Sequence, residues 1–425
     1  MKRYVLAGTG HRGITAYIQP ITEQFQDDAK LCGLYDKNPL RAAQAAAMAA
    51  YDVPVYDDWD QLLRDVKPDA AIITTVDATH AKYIISAMEA GCDVISEKPV
   101  TTDEHMLNEI FQSRRRTGKN LTVTFNARFM PIFMRVKELV CSGAIGEILN
   151  VHYEWLLDTS HGADYFRRWH RQRKNSGSLL IHKATHHFDI MNWLLDDIPM
   201  KVNAFGSRRF YGAGERAGGV NCRSCARAGS CEFYFDIEAD PFYRAIYTGC
   251  ESVDGYLRDR CVFSDEIDIE DSVNLSIRYK GGASASYTLT AHSPYEGVAL
   301  MLNGREGRLE LRLRMGGGAY AGATASDIRI YNRLGEEIRY HIPENHITQT
   351  MREVGELARS MEAGGSHGGS DAMLRMALFR GLTRDPLGLM AGLEDGAYSV
   401  GIGIAANISM REDRAVSLDE FMGFV

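Results

Sequence analysis

The chain has 425 residues, 45% of them hydrophobic, and a formal net charge of -8 at pH 7. Single hydrophobic cores stop growing at roughly 250 to 300 residues, so this length implies two cores. The acidic balance argues against a nucleic-acid partner, and no apolar run approaches the roughly 20 residues of a membrane span. A soluble cytoplasmic protein with no membrane partner is expected.

Tyr4-Val5-Leu6-Ala7 is a short apolar strand that runs straight into Gly8-Thr9-Gly10-His11-Arg12-Gly13. This is GxGxxG in the context that distinguishes it from an ordinary glycine-rich turn. The first glycine allows the tight turn, the second lets backbone approach a pyrophosphate, and the third lets the next helix pack on the strand. Gly8, Gly10, His11, Arg12 and Gly13 are therefore candidate cofactor residues. Asp36 ends a second apolar run, Leu31 to Tyr35, where a carboxylate accepts hydrogen bonds from adenosine ribose hydroxyls. A carboxylate there repels a 2′-phosphate, so NAD is expected over NADP. Lys37 and Arg41 lie close enough to soften that preference, or form a solvated face.

The βα rhythm continues with a strand at Ala70 to Thr74, a helix from Thr79 to Ala90, a strand at Asp93 to Ile95, a helix from Thr102 to Thr117 and a sixth strand at Leu121 to Phe125. Such alternation predicts a parallel sheet covered on both faces. Thr75 and His80 leave one strand at its carboxyl end, and Asn126 and Arg128 leave another. Ser96-Glu97-Lys98-Pro99 follows the strand between them. A lysine there sits in the crevice where doubly wound sheets bind ligands, placing Glu97 and Lys98 at a nicotinamide.

These segments, with Phe125-Asn126-Ala127-Arg128 and a histidine motif further on, resemble the Gfo/Idh/MocA family of oxidoreductases over almost the whole chain. The resemblance implies an α/β protein in two domains. Residues 1–125 form an NAD-binding Rossmann domain with a doubly wound parallel sheet. Residues 126–425 form an α+β domain with a large, mostly antiparallel open sheet for substrate binding and oligomerisation. A homodimer or homotetramer and a sugar, polyol or glycoside substrate are implied with it.

The histidine motif runs from Gly177 to Asp189 and leads into Ile190-Met191-Asn192-Trp193. It reads as one amphipathic helix, with His182, His186 and Asp189 at i, i+4 and i+7 on one face. By resemblance, His186 matches the histidine that takes the substrate hydroxyl proton, a task suited to an imidazole. The family usually has an aspartate where this chain has His182, and Lys183 is also unusual. His182 is read as catalytic and His187 as substrate-binding, against the plainer reading of packed histidines. Spacing alone also allows a metal on His182, His186 and Asp189, although the family works without one.

Tyr165 to Lys174 is dense in cations and aromatics and leads directly into that helix. A charge run is usually a solvated face, but guanidinium groups also form the preferred fork for carboxylates. Tyr165, Arg167, Trp169, Arg171, Lys183 and Arg128 are taken as substrate contacts, and their charge suggests an acidic sugar or glycoside.

Cys32, Cys92 and Cys141 lie singly in apolar surroundings and read as buried thiols. Cys222-x2-Cys225-x5-Cys231, with a distant Cys261 or Cys250, has the knuckle spacing of a tetrahedral thiolate site. Structural zinc leads this reading, with reduced thiols, disulfides and an iron–sulfur cluster as alternatives. The ligands taken are Cys222, Cys225, Cys231 and Cys261, in an insert at about 206–265 that is long enough to wall the substrate pocket.

Beyond the insert, Ser272 to Arg278 and Ala283 to Thr290 form a predicted hairpin, and Leu309 to Leu313 and Asp327 to Tyr331 read as further strands. A glycine- and alanine-rich loop joins the last two. His367-Gly368-Gly369 precedes a helix from Ala372 to Gly381. His367 is a candidate substrate contact, set against a simple helix start capped by Ser370 or Asp371. Two activities fit the whole: an NAD-dependent dehydrogenase, and a redox-neutral NAD-dependent glycosidase that oxidises transiently, eliminates and returns hydride. A non-catalytic scaffold is disfavoured by the presence of both Lys98 and His186.

Overall fold

The computed structural model describes residues 1–212, 214–316, 324–340, 369–382 and 384–423. The N-terminal sheet holds β1 (Lys2–Ala7), β2 (Ala29–Tyr35), β3 (Val55–Tyr56), β4 (Ala70–Ile73), β5 (Asp93–Ser96) and β6 (Leu121–Val123). All are parallel, in the order β3-β2-β1-β4-β5-β6. Val5, Leu6, Ala7, Ala71, Ile72 and Ile73 are wholly buried, as strands covered on both faces must be. The order reverses between β1 and β4, which opens the ligand crevice at their carboxyl ends. β6 is shorter than the sequence suggests, because the chain turns at Thr124 into the short helix Asn126–Phe129.

The helix after the glycine loop carries Pro20, which lacks an N–H and crowds the carbonyl four residues back. A π-helical stretch at Ile14–Ile18, with the Gln19 N–H bonded to the Ile14 carbonyl, widens the turn just ahead of it.

The second sheet contains β7 (Ile148–Asp158), β8 (Pro199–Ser207), β9 (Ser272–Tyr279), β10 (Ser284–Ser293), β11 (Glu296–Gly304), β12 (Gly307–Gly316), β13 (Thr324–Asn332), β14 (Glu337–Tyr340) and β15 (Val416–Ser417). Its order is β14-β13-β12-β11-β7-β10-β9-β8-β15, and only the β7/β10 pair is parallel. Val273, Leu275, Ile277 and Tyr279 of β9 point inward, while Asn274, Ser276 and Arg278 are exposed on the open face. The helices Thr185–Leu195 and Leu393–Glu412 pack together, and the latter lies against β8. Among the described residues no helix is long and apolar enough to cross a membrane.

The expected single helix around the histidines is two helices, Leu179–His182 and Thr185–Leu195. In an unbroken helix the His182 carbonyl would accept the His186 N–H. Here it accepts the Lys98 amine at 2.7 Å, and the His186 N–H turns to the Lys183 carbonyl at 3.3 Å. The break therefore parts His182, though not His186, from Asp189. Asp189 is buried against Arg128, whose Nε and second terminal nitrogen donate to its two oxygens at 2.8 and 2.5 Å. The Gly388 carbonyl accepts a third bond from the same guanidinium. Arg128 is thus a clamp between the exit of β6 and the second domain rather than a substrate contact. Replacing it with methionine leaves Asp189 buried without its cation, and Arg128→Met should lower stability by about 3–5 kcal/mol in urea denaturation.

Candidate active site

A cleft of about 850 Å³ lies between the two sheets, and Gly8, Gly10, His11, Arg12, Asp36, Thr75, His80, Glu97, Lys98 and Asn126 all line it. The three motif glycines answer three different needs. Gly8 has φ +96° and abuts Thr74, where a Cβ would stand 2.6 Å from the carbonyl. A Cβ on Gly13 would meet the Gly8 oxygen at 2.2 Å, whereas one on Gly10 would meet nothing within 4 Å. Gly8 and Gly13 therefore close the turn, and Gly10 keeps its backbone open to a diphosphate, so the cradle fits NAD.

Asp36 is oriented by the Thr9 and Asn38 N–H groups, each at 2.8 Å. Arg41 lines the cleft but is not part of a solvated face. It is buried, with Nε on the Ile246 carbonyl at 3.0 Å and its terminal nitrogens on Asp36 and Asp254 at 3.4 and 3.0 Å. The insert thus docks on the cofactor domain, where the Tyr247 hydroxyl accepts the His11 N–H and Phe242 packs edge-on to the His11 ring.

Glu97 is buried and accepts from Arg12 Nε and the Tyr17 hydroxyl, both at 2.7 Å. Arg12 also grips Asp371 with two bonds of 3.0 and 2.9 Å, and Asn126 donates to the same carboxylate at 2.8 Å. Sequence reading treats Asp371 as a helix cap, but the cap position belongs to Gly369 and Asp371 instead braces the crevice. His367 lies outside the described residues. His80 bridges the Pro99 and Thr75 carbonyls at 2.7 and 3.0 Å, fixing the loop after β4.

Lys98 and His186 both line the cleft, and Phe125 stands edge-on to His186 at 5.8 Å. Burial lowers the Lys98 amine to about 8, against the pull of Asp77 and Glu97. His182 also lines the cleft, with Nδ1 2.6 Å from Asp77 of the loop after β4. Burial drives the Asp77 carboxyl up and the His182 imidazole down, so the pair favours a shared proton over two separate charges. Asp77 thus brings a carboxyl group to His182 from across the cleft. Asp77 was visible in the sequence but carried no signal of this partnership. The unforeseen His170 stacks on Trp169 at 3.7 Å and sits 4.0 Å from His182.

Tyr165, Trp169, Arg171 and Lys183 line the cleft, together with Arg168 and Arg260. Burial lowers Lys183, whose ammonium lies 5.1 Å from the Trp155 ring centre. Two expected substrate contacts turn away. His187 stacks on Trp155 at 4.0 Å and bonds the Tyr287 hydroxyl at 2.6 Å, because the helix break leaves it facing β7 and β10. Arg167 points into the insert, donating to Cys222 Sγ at 3.2 Å and to the Phe233 carbonyl at 2.8 Å.

Cys222, Cys225, Cys231 and Cys261 line a separate cavity of about 20 Å³, while the Cys250 thiol donates to the Ala245 carbonyl. All eight cysteines are free thiols. Cys92 is buried as expected, Cys32 is half-buried and Cys141 is exposed. Among the described residues no group of three or more His, Cys, Asp or Glu side chains is already arranged to hold a metal. For the His182, His186 and Asp189 reading the reason is plain, since Asp189 is taken by Arg128.

A parallel sheet in this order, a glycine cradle and a half-buried lysine at the crevice define an NAD-binding oxidoreductase. Residues 2–125 match the Gfo/Idh/MocA oxidoreductase family's NAD-binding Rossmann fold, and residues 137–418 match its C-terminal alpha/beta domain. The chain belongs to that family. The Bacillus subtilis (strain 168) protein YteT is 32% identical over 99% of this chain and 98% of its own length. Levoglucosan dehydrogenase of Pseudarthrobacter phenanthrenivorans is 26% identical over 64% of this chain and 63% of its own. Inositol 2-dehydrogenase of Rhizobium meliloti (strain 1021) is 32% identical over 42% of this chain and 51% of its own. A solved levoglucosan dehydrogenase in complex with NADH and L-sorbose shares the fold, with a TM-score of 0.67 at 19% identity over 98% of each chain.

The cradle geometry separates two glycine substitutions. Gly10→Val should leave thermal stability near wild type while weakening NAD binding by at least about tenfold, or ~1.4 kcal/mol. Gly13→Ala should instead lower the melting temperature. Calorimetric titration with NAD and thermal denaturation read the two effects apart.

Proposed function

We propose that this protein oxidises a hydroxyl of a sugar or polyol derivative, with NAD as acceptor. The observation that carries the reading is that Lys98 and His186 share one cleft with the glycine cradle. NAD, when bound, supplies the hydride acceptor. His186 takes the proton of the substrate hydroxyl, and Lys98 donates a hydrogen bond to the same oxygen as negative charge grows on it. The His182 carbonyl holds the Lys98 amine at the strand end for that task. Dehydrogenation of polyols and anhydrosugars in the names of relatives supports the substrate class. Lys183 and Arg171 favour an acidic substituent on the sugar. The reading includes a homodimer or homotetramer joined through the open face of the second sheet.

A second reading is favoured by the His182–Asp77 pair, which adds an acid–base group beyond the one that oxidation needs. Redox-neutral cleavage of a glycoside would use it to move the extra proton. Incubation with NAD and paired neutral and acidic sugars and aryl glycosides, following NADH and aglycone together, tests both. Stoichiometric NADH with intact glycoside is expected. Aglycone release without net NADH would replace the dehydrogenase by the glycosidase, and equal turnover of a neutral sugar and its uronate would remove the acidic preference.

Lys98→Ala should lower kcat/KM by about 10²–10⁴-fold and leave NAD affinity within a few-fold. The wild-type kcat/KM should also fall above pH 8, because burial brings the amine to about 8 and only its protonated form offers a full positive charge to the substrate oxygen. Lys98→Arg should carry that alkaline limb upward, since a guanidinium stays protonated throughout the range. A pH–rate profile that keeps its alkaline limb in Lys98→Arg would assign the limb to another group.

A further inference from the structure

Between β8 and β9 the chain makes a long excursion whose described residues form short helical turns and loops. Its two cysteine-bearing stretches are held side by side by an isolated antiparallel bridge between Asn221 and Arg260. The Cys222 N–H bonds the Asp259 carbonyl at 2.8 Å, and the Cys261 N–H bonds the Val220 carbonyl at 3.0 Å. This backbone pairing brings Cys261 to the Cys222-x2-Cys225 knuckle from almost forty residues away. The 3-10 turn Ala228–Ser230 then returns Cys231 to the same point. The result is a cavity of about 20 Å³ with four thiols in its lining. A space of roughly one water-sized sphere suits a single ion better than an organic ligand.

A second observation is independent of the cysteines. Arg167 is buried, yet it meets the Cys222 sulfur, the Phe233 carbonyl and the face of Phe235, and no carboxylate pairs with it among the described residues. A buried guanidinium without an anion is costly, and neutral thiols do not offset its charge. Thiolates do. The Arg227 N–H, 3.4 Å from Cys225 Sγ, adds a donor of the kind that stabilises sulfur carrying negative charge.

We propose that Cys222, Cys225, Cys231 and Cys261 bind one zinc ion as a tetrathiolate that fastens the insert together. Binding replaces four thiol protons, released to solvent, by one divalent cation. The site then carries two net negative charges, one of them balanced by Arg167. The thiol side chains rotate inward to reach the roughly 2.3 Å zinc–sulfur distance, since no three donors are drawn together beforehand. Cys250 takes no part.

The test is the metal content of the full-length chain purified without chelator, by mass spectrometry of its elements. One zinc per chain is expected, and protein grown with cobalt should show the thiolate charge-transfer and visible bands of tetrahedral cobalt(II). Cys225→Ser and Cys231→Ser should lose the metal, and Cys250→Ser should keep it, with circular dichroism distinguishing loss of the site from loss of the fold. Metal-free wild-type protein with four freely titrating thiols would overturn the proposal. So would a disulfide among these cysteines, or iron with acid-labile sulfide in place of zinc.

Discussion

A carboxylate buried at the end of a parallel strand must find donors inside the protein, and Glu97 finds them in Arg12 and Tyr17. Leaving such an ion unmatched costs several kcal/mol, so its partners are fixed as firmly as the strand itself. Arg12 belongs to the glycine loop and also grips Asp371, near the far end of the chain. Asn126, which follows β6, closes the set on the same aspartate. Three distant segments are therefore held at one point by a single requirement of charge. Lys98, the neighbour of Glu97, inherits a position that no local preference would have given it.

The lysine in turn shapes the second domain. By occupying the His182 carbonyl it takes the hydrogen bond that would have continued the helix, and the helix restarts at Thr185. That break is why His182 parts from the helix that carries His186 and Asp189, despite their spacing. His182 reaches across to Asp77, His186 remains in the cleft, and Asp189 meets Arg128 in the core. An amphipathic pattern could not reveal this, because periodicity describes a helix in isolation and the competing donor lies 84 residues away.

The legible parts were those whose cause is local. The glycine cradle, Asp36 and the βα alternation follow from turn geometry and burial within short windows, and the structure places them as read. The large, mostly antiparallel character of the second sheet came only by resemblance, and its strand order was not legible at all. The cations were the least legible. Arg167 and Arg171 share one run, but Arg167 donates to the Cys222 thiol and Arg171, which lines the cleft, to the Cys261 carbonyl, because a buried guanidinium follows whichever acceptor is within reach. Arg128 was read as a ligand for the same reason: sequence shows a charge without showing its partner.

The insert shows how such partnerships alter the cofactor side of the crevice. Arg223, inside the cysteine knuckle, pairs with Asp259 and Glu251, so the knuckle is tied to the short helix Glu251–Asp254. That helix supplies Asp254 to Arg41, and the preceding Cys250 carbonyl accepts from Asn38 at 2.9 Å. All three guanidinium nitrogens of Arg41 are thereby spent on Asp36, Asp254 and the Ile246 carbonyl. A 2′-phosphate arriving at this corner would meet two carboxylates and an arginine already bonded to both. Lys37 is the cation left nearby, and it stands on a flexible stem as a hydrated point charge rather than a fork. The insert, absent from any reading of the glycine motif alone, thus holds in place the arginine that pairs with Asp36.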